Sequence, residues 1–164
     1  MSPAEVWLID GWNVLHGLSA KGSGRRMESE ELLSLMADFA AHQECRVVVV
    51  WDGHGPGGNP KLVLPVTSSV ESLYSADKTA DAVLERYLFD HRSTARLVVV
   101  TDDQAMTTIA RGSGARVFSV LIFGQIVEEA KKGRRDWSEG NRADQHGFNR
   151  PFGEDFRKKG WKSE

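Results

Sequence analysis

The stretch VWLIDGWN, Val6–Asn13, runs four apolar residues straight into an aspartate, a glycine, a tryptophan and an asparagine. A continuous apolar run without alternation is the pattern of a strand buried on both faces. The pattern recurs in VVVVWDG, Val47–Gly53, and in LVVVTDD, Leu97–Asp103. Each run is rich in β-branched residues, which suits a central strand, and each ends on a carboxylate. Parallel strands put their C-terminal ends on one edge of the sheet, and ligands bind in the crevice there. Three separate strands are thus expected to deliver Asp10, Asp52 and Asp102 to one rim.

Outward from these strands, residues 11–27 hold Gly17, Gly22 and Gly24 beside Arg25 and Arg26, and read as a loop. ESEELLSLMADFAAH (28–42) is a helix, with Leu32, Leu35, Met36 and Phe39 at helical spacing and acids in the first turn. DGHGPGGNP (52–60) is a loop, and VESLYS (70–75) is the best position for a third strand. A helix from Thr79 to His91 follows, with Ala80, Val83, Leu84, Tyr87 and Leu88 inward. Strand four is RLVVVT (96–101). Asp102 or Asp103 then caps a short helix that ends near Gly112, which is expected to be a left-handed C-cap. ARVFSV (115–120) is strand five, with a helix after it to about residue 132. Strands alternating with helices argue an α/β sandwich around a mainly parallel sheet. From Gly133 the periodicity is lost. The expected division is a domain over 1–132 and an irregular C-terminal extension over 133–164. The extension is either flexible or folded back on the domain through Trp137, Phe148, Phe152, Phe156 and Trp161.

The 164 residues suffice for one domain with a sizeable core. The net charge of −2 rules out a global basic field drawing in nucleic acid. The charge is uneven: residues 124–164 hold ten Lys/Arg against eight Asp/Glu, so the excess of acid lies in the body of the chain. Cys45 is the only cysteine, which excludes an internal disulfide and a cysteine-based zinc site. No apolar run approaches the roughly 20 residues that span a bilayer, and the N-terminus lacks a signal-peptide pattern. The expectation is a cytoplasmic protein with no membrane partner.

Several carboxylates at one rim repel and raise one another's pKa values. They are tolerable around a divalent cation, and hard Mg²⁺ prefers oxygen ligands. The chemistry served is metal-assisted hydrolysis of a phosphodiester, in which the metal activates a water and offsets charge on the leaving oxygen. Asp81, in the first turn of the 79–91 helix, is a fourth candidate, with Glu85 one turn on. The competing reading is structural: an aspartate after a strand also caps the next helix or turn. Asp52 fits that reading least, since a glycine-rich loop follows it and not a helix.

LIDGWNVLHG, VVVWDGHG, SADKTADAVLERYL and VVVTDDQAMTTIARGSGARVFS, in this order and spacing, resemble the YacP-like branch of the NYN domains, within the PIN-like nuclease superfamily. The resemblance covers roughly residues 5–130. It implies a PIN-like three-layer α/β/α sandwich. It also implies a Mg²⁺- or Mn²⁺-dependent endoribonuclease acting on single-stranded or locally unpaired RNA, in RNA turnover and in some members on translating ribosomes. Asp10, Asp81 and Asp102 match the acidic cluster, Asp52 a further acid after strand two, and Asn13 the turn asparagine; Asp103 is an adjacent alternative to Asp102. The chain departs from the family at position 12, where Trp12 stands in place of the usual tyrosine and keeps an aromatic face without the hydroxyl.

The expected metal ligands are therefore drawn from Asp10, Asp52, Asp81, Asp102 and Asp103, with Asn13 and Thr101 positioning water or a ligand. Trp12 offers a face on which a base can stack, or else simply covers the sheet end. Arg25, Arg26 and Lys78 lie in segments that flank the rim and suit phosphates. His16 and His54 stand near enough to assist proton transfer. The glycine loop 53–58 lacks the Lys-Ser/Thr of a phosphate-binding P-loop. Two rival functions remain. One is a non-catalytic RNA- or ribosome-binding module in which the acids are structural. The other is a receiver-like phosphoacceptor, which lacks here its acidic pair after strand one and its lysine after strand five. Oligomeric state is not legible in the sequence.

Overall fold

A computed structural model describes residues 4–19, 26–58 and 63–133. Five parallel strands form the centre of a six-stranded sheet: β1 (Glu5–Asp10), β2 (Arg46–Trp51), β4 (Val70–Tyr74), β5 (Arg96–Val100) and β6 (Arg116–Phe118). A short antiparallel strand, β3 (Val63–Pro65), borders β4 and gives the order β3-β4-β2-β1-β5-β6. The helices are α1 (Gly11–Ser19), α2 (Ser29–Gln43), α3 (Ala80–His91), α4 (Gln104–Gly112) and α5 (120–133).

The apolar strands alternate their side chains between two cores. Trp7, Ile9, Val47, Val49, Trp51, Val98 and Val100 face one side, packed by Val14 and Leu15 of α1, Leu32, Met36 and Phe39 of α2, and Val120, Phe123 and Val127 of α5. Val6, Leu8, Val48, Val50, Leu97 and Val99 face the other, against Ala80, Leu84 and Leu88 of α3 and Met106 and Ala110 of α4. This is the expected three-layer α/β/α sandwich. Leu8 and Ile9 lose all exposure, and each such side chain contributes roughly 1.5–3 kcal/mol of burial free energy. The chain divides into two units, Met1–Ala130 and Lys131–Glu164, and the sheet lies in the first. No helix among the described residues is long and apolar enough to cross a membrane.

The segment after β1 is a helix, not the loop that its glycines suggest. Gly11, Val14 and Leu15 are buried along one side of α1. A Cβ on Gly11 would stand 2.6 Å from Cε3 of Trp51, and one on Gly17 would collide with Cγ1 of Val120. These glycines let α1 press on the sheet and on α5, and they do not break the helix. A second difference lies after α4. Gly112 is its last residue, and the left-handed conformation falls on Gly114 (φ 83°). Strand three is found at Val70–Tyr74; β3 is an addition, since three residues between turn formers carry no periodic signal. The extension beyond residue 133 lies outside the described residues, as does Arg25.

Candidate active site

Strand order places β1 at the point where the chain changes direction across the sheet: β2 lies on one side and β5 on the other. In open α/β sheets the crevice at such a point is the usual ligand site. Asp10 ends β1 there, half-buried. Its Oδ1 accepts the Asn13 backbone N–H at 3.3 Å, so Asp10 caps α1. The other strand-tip aspartates do the same for other helices. Asp52 Oδ1 accepts the N–H of Ala80, first residue of α3, at 3.0 Å, and the Ser75 hydroxyl at 3.2 Å. Asp102 Oδ1 accepts the N–H of Val120, at the start of α5, at 2.9 Å. Asp103 is the N-cap of α4 and accepts the Met106 N–H at 2.7 Å.

Four helices therefore begin at this rim, each with an aspartate on its first N–H groups. Asp81 joins them from the first turn of α3. The positive ends of the helix dipoles favour negative charge here, but they do not cancel the crowding. Burial raises the Asp10 carboxyl above its ordinary value, the Asn13 N–H opposes this, and repulsion from Asp81, Asp103 and Asp52 raises it further. Asp81 is raised by burial first, then by Asp103 and Asp52. Asp10, Asp52, Asp81 and Asp103 thus share one electrostatic field. Asp102, engaged by Val120, is not among the charges that raise Asp10 or Asp81. Among the described residues, no lysine or arginine forms an ion pair with any of the five aspartates.

The donor set fits a hard divalent cation in kind, since it is all carboxylate oxygen. In spacing it fits only partly. Among the described residues no three His, Cys, Asp or Glu side chains already stand together as the ligands of one ion. Mg²⁺ keeps several of its own waters and binds through one or two carboxylates, and that mode suits the spacing seen here.

Asn13 ties the rim together. Its side-chain Oδ1 accepts the Asp102 backbone N–H at 2.9 Å. Thr101 is buried and its hydroxyl accepts the Asp103 N–H at 3.1 Å, which sets the direction of the cap. Ser75, which no sequence pattern singles out, is buried at the tip of β4. Its hydroxyl donates to Asp52 and accepts the Gly53 N–H at 2.9 Å. The signal available was its place one residue past a strand, but a lone serine there is indistinguishable from a turn former.

Trp12 is 41% exposed, packs edge-on against Trp51 at 4.9 Å and donates from Nε1 to the Asp52 carbonyl at 3.3 Å. Its ring lies near-parallel to that of the exposed His16, with centroids 6.2 Å apart and planes at 26°. Lys78, two residues before α3, and Arg26 are exposed. His54 contacts Asp77 at 3.3 Å, an aspartate outside the five.

The sheet, its flanking helices and the carboxylates at its strand tips define a three-layer α/β domain. A model of the YacP-like NYN domain matches residues 7–160, and the chain belongs to that family. Two crystal structures of Rae1 (YacP) from Bacillus subtilis are similar in fold. A tryptophan-to-leucine mutant gives a TM-score of 0.66 at 20% identity, over 85% of this chain and 84% of that one. A second structure gives 0.60 at 21% identity, over 93% and 95%. No curated protein matches the chain.

Proposed function

We propose that the chain is an endoribonuclease that cuts single-stranded or locally unpaired RNA with Mg²⁺ or Mn²⁺ at the rim. Asp10, Asp81 and Asp103 would hold the ion directly or through water, with Asp52 as a further acid and Asp102 and Asn13 as the brace between β1 and β5. The bound ion would activate a water and offset charge on the leaving oxygen. Trp12 would stack a base on its exposed ring, and Arg25, Arg26 and Lys78 would take backbone phosphates. A role in RNA turnover, on translating ribosomes or elsewhere in the cytoplasm, is part of the same reading.

One observation supports it above the rest: repulsion from Asp52 and Asp103 raises the carboxyls of both Asp10 and Asp81, and among the described residues no lysine or arginine is paired with any of the four. A purely structural set of caps does not require this mutual repulsion, because each helix needs only its own aspartate. The test is cleavage of labelled, unstructured RNA by pure protein with Mn²⁺, beside Asp10→Asn. Equal cleavage by the two proteins removes Asp10 from the mechanism.

The second reading is a non-catalytic RNA- or ribosome-binding module. It draws support from the backbone N–H groups that already occupy an oxygen of Asp10, Asp52, Asp102 and Asp103. RNA binding without any metal-dependent cleavage would decide for it.

A further inference from the structure

At the opposite edge of the sheet, where the strands begin, a cleft of about 260 Å³ is lined by Arg92, Arg96, Arg116, Ser113 and Gly114, among others. We propose that this cleft is a phosphate-binding site, separate from the acidic rim and independent of the nuclease reading. The five residues of β5 separate the two, a distance of roughly 15 Å at about 3.3 Å per residue.

Charge decides the ligand. Glu5 is the acid paired with these arginines: its Oε2 lies 3.0 Å from Arg116 and 3.9 Å from Arg96. Its other oxygen holds the Trp7 indole N–H at 2.9 Å. The C-terminal ends of α3 and α4 also meet here and bring partial negative charge, on the order of half a charge each before capping. Much of that is already met by backbone N–H groups: Thr94 and Ala95 donate to the His91 carbonyl, and Ser113, Gly114 and Ala115 to the last carbonyls of α4. Three guanidiniums against one carboxylate and two capped helix ends leave the cleft positive. In a chain of net charge −2, that is a local reversal of sign.

Geometry points the same way. Arg96 and Arg116 keep 61% and 60% of their side-chain exposure, so their outer N–H groups remain open to a ligand. The planar guanidinium fork matches phosphate oxygens, which makes arginine the usual residue for such recognition. Arg92 lies over the ring of Phe89 at 4.6 Å, and Phe89 is 59% exposed. An aromatic face beside a positive groove is the arrangement that holds single-stranded nucleic acid by stacking and by pairing with its phosphates. The phosphate can come from an RNA strand or from the free ion, and the two give different results.

The experiment is fluorescence anisotropy of a labelled, unstructured RNA in EDTA, where no metal-dependent cleavage occurs. Alongside it, inorganic phosphate is titrated while the amide signals of Gly114 and Arg116 are followed by NMR. Replacing Arg92 and Arg116 by alanine should weaken RNA binding about three- to ten-fold. It should also flatten the salt dependence by roughly 0.7 in log K per log salt for each phosphate that is no longer neutralised. Glu5→Gln leaves the arginines in place and keeps an oxygen for Trp7, and should tighten binding. If the amides shift with phosphate while RNA affinity ignores all three substitutions, the site takes the free ion. If the amides stay still and neither affinity nor salt slope changes, the proposal is wrong. Because binding is read without metal, an inactive rim would not mimic that failure.

Discussion

Asn13 and Asp102 stand 89 residues apart in sequence and meet at 2.9 Å, the asparagine carbonyl accepting the aspartate's backbone N–H. The turn after β1 is thereby locked to the turn after β5. Asp102 in turn holds the start of α5 through Val120. These linked hydrogen bonds make Asn13 and Asp102 a brace, while the neighbouring Asp103 belongs to the carboxylates that repel Asp10.

The two adjacent aspartates should therefore separate by experiment. Asp103→Asn keeps an oxygen to cap α4, so melting should change little while metal-dependent cleavage falls by about 10²-fold or more, the scale of losing a group that stabilises developing charge. Asp102→Ala should cost stability, about 0.5–2 kcal/mol for removal of a cap, and Asp102→Asn should restore most of it. Melting curves and initial rates on the three variants check this. An Asp102→Asn protein as dead as Asp103→Asn would return Asp102 to the metal set.

Asp10 and Asp81 carry an unusual pH signature. Their carboxyls are raised when folded, so between 3.8 and the raised value the folded chain binds more protons than the unfolded one. Stability from these two groups then falls as pH rises through that window and stays at its lower level above it. At neutral pH, Asp10→Asn should raise the melting temperature, each kcal/mol relieved giving about 2–4 °C in a chain of this size. The asparagine oxygen can still accept from Asn13. Calorimetry at pH 7 and near pH 4 reads the difference, and a lower melting temperature for Asp10→Asn at pH 7 would contradict it.

Divalent cations should act on the same groups. An ion bound at the rim stabilises the folded chain by about 2.7 kcal/mol when its concentration is a hundred times its dissociation constant. Mg²⁺ or Mn²⁺ should raise the melting temperature of the wild type, and the rise should vanish in Asp10→Asn/Asp103→Asn. A rise that survives in the double variant would place the ion elsewhere.

Much of this was legible in the sequence because strands buried on both faces must be continuously apolar. Val47–Val50 and Leu97–Val100 admit no other simple reading, and a carboxylate at the end of each had to reach the rim. That Asp52 caps α3, 28 residues on, was not legible: the loop after it hid a tertiary hydrogen bond that no local pattern encodes. The choice between Asp102 and Asp103 was equally closed. Both follow the strand, and only the direction set by Thr101 and by the N-termini of α4 and α5 distinguishes them. Glycines misled for a related reason, since a close approach between helix and sheet looks the same in sequence as a turn.

That close approach gives the last prediction. Gly17 sits in α1 against Val120, the residue that Asp102 caps. Alanine is the better helix former by about 1 kcal/mol, so on propensity alone Gly17→Ala should stabilise. The added methyl has no room, and overpacking of this kind costs typically about 1–3 kcal/mol, so destabilisation should win. The clash is with the Val120 side chain and not with backbone, which makes the strain removable. Val120→Ala opens the space but gives up its own buried methyls. The double variant should therefore be more stable than the sum of the two single effects predicts, by a coupling of about 0.5–3 kcal/mol. Chemical denaturation of the four proteins measures it. Simple additivity would mean that α1 and α5 do not meet at Gly17, and that the brace from Asn13 through Asp102 to Val120 is looser than the geometry states.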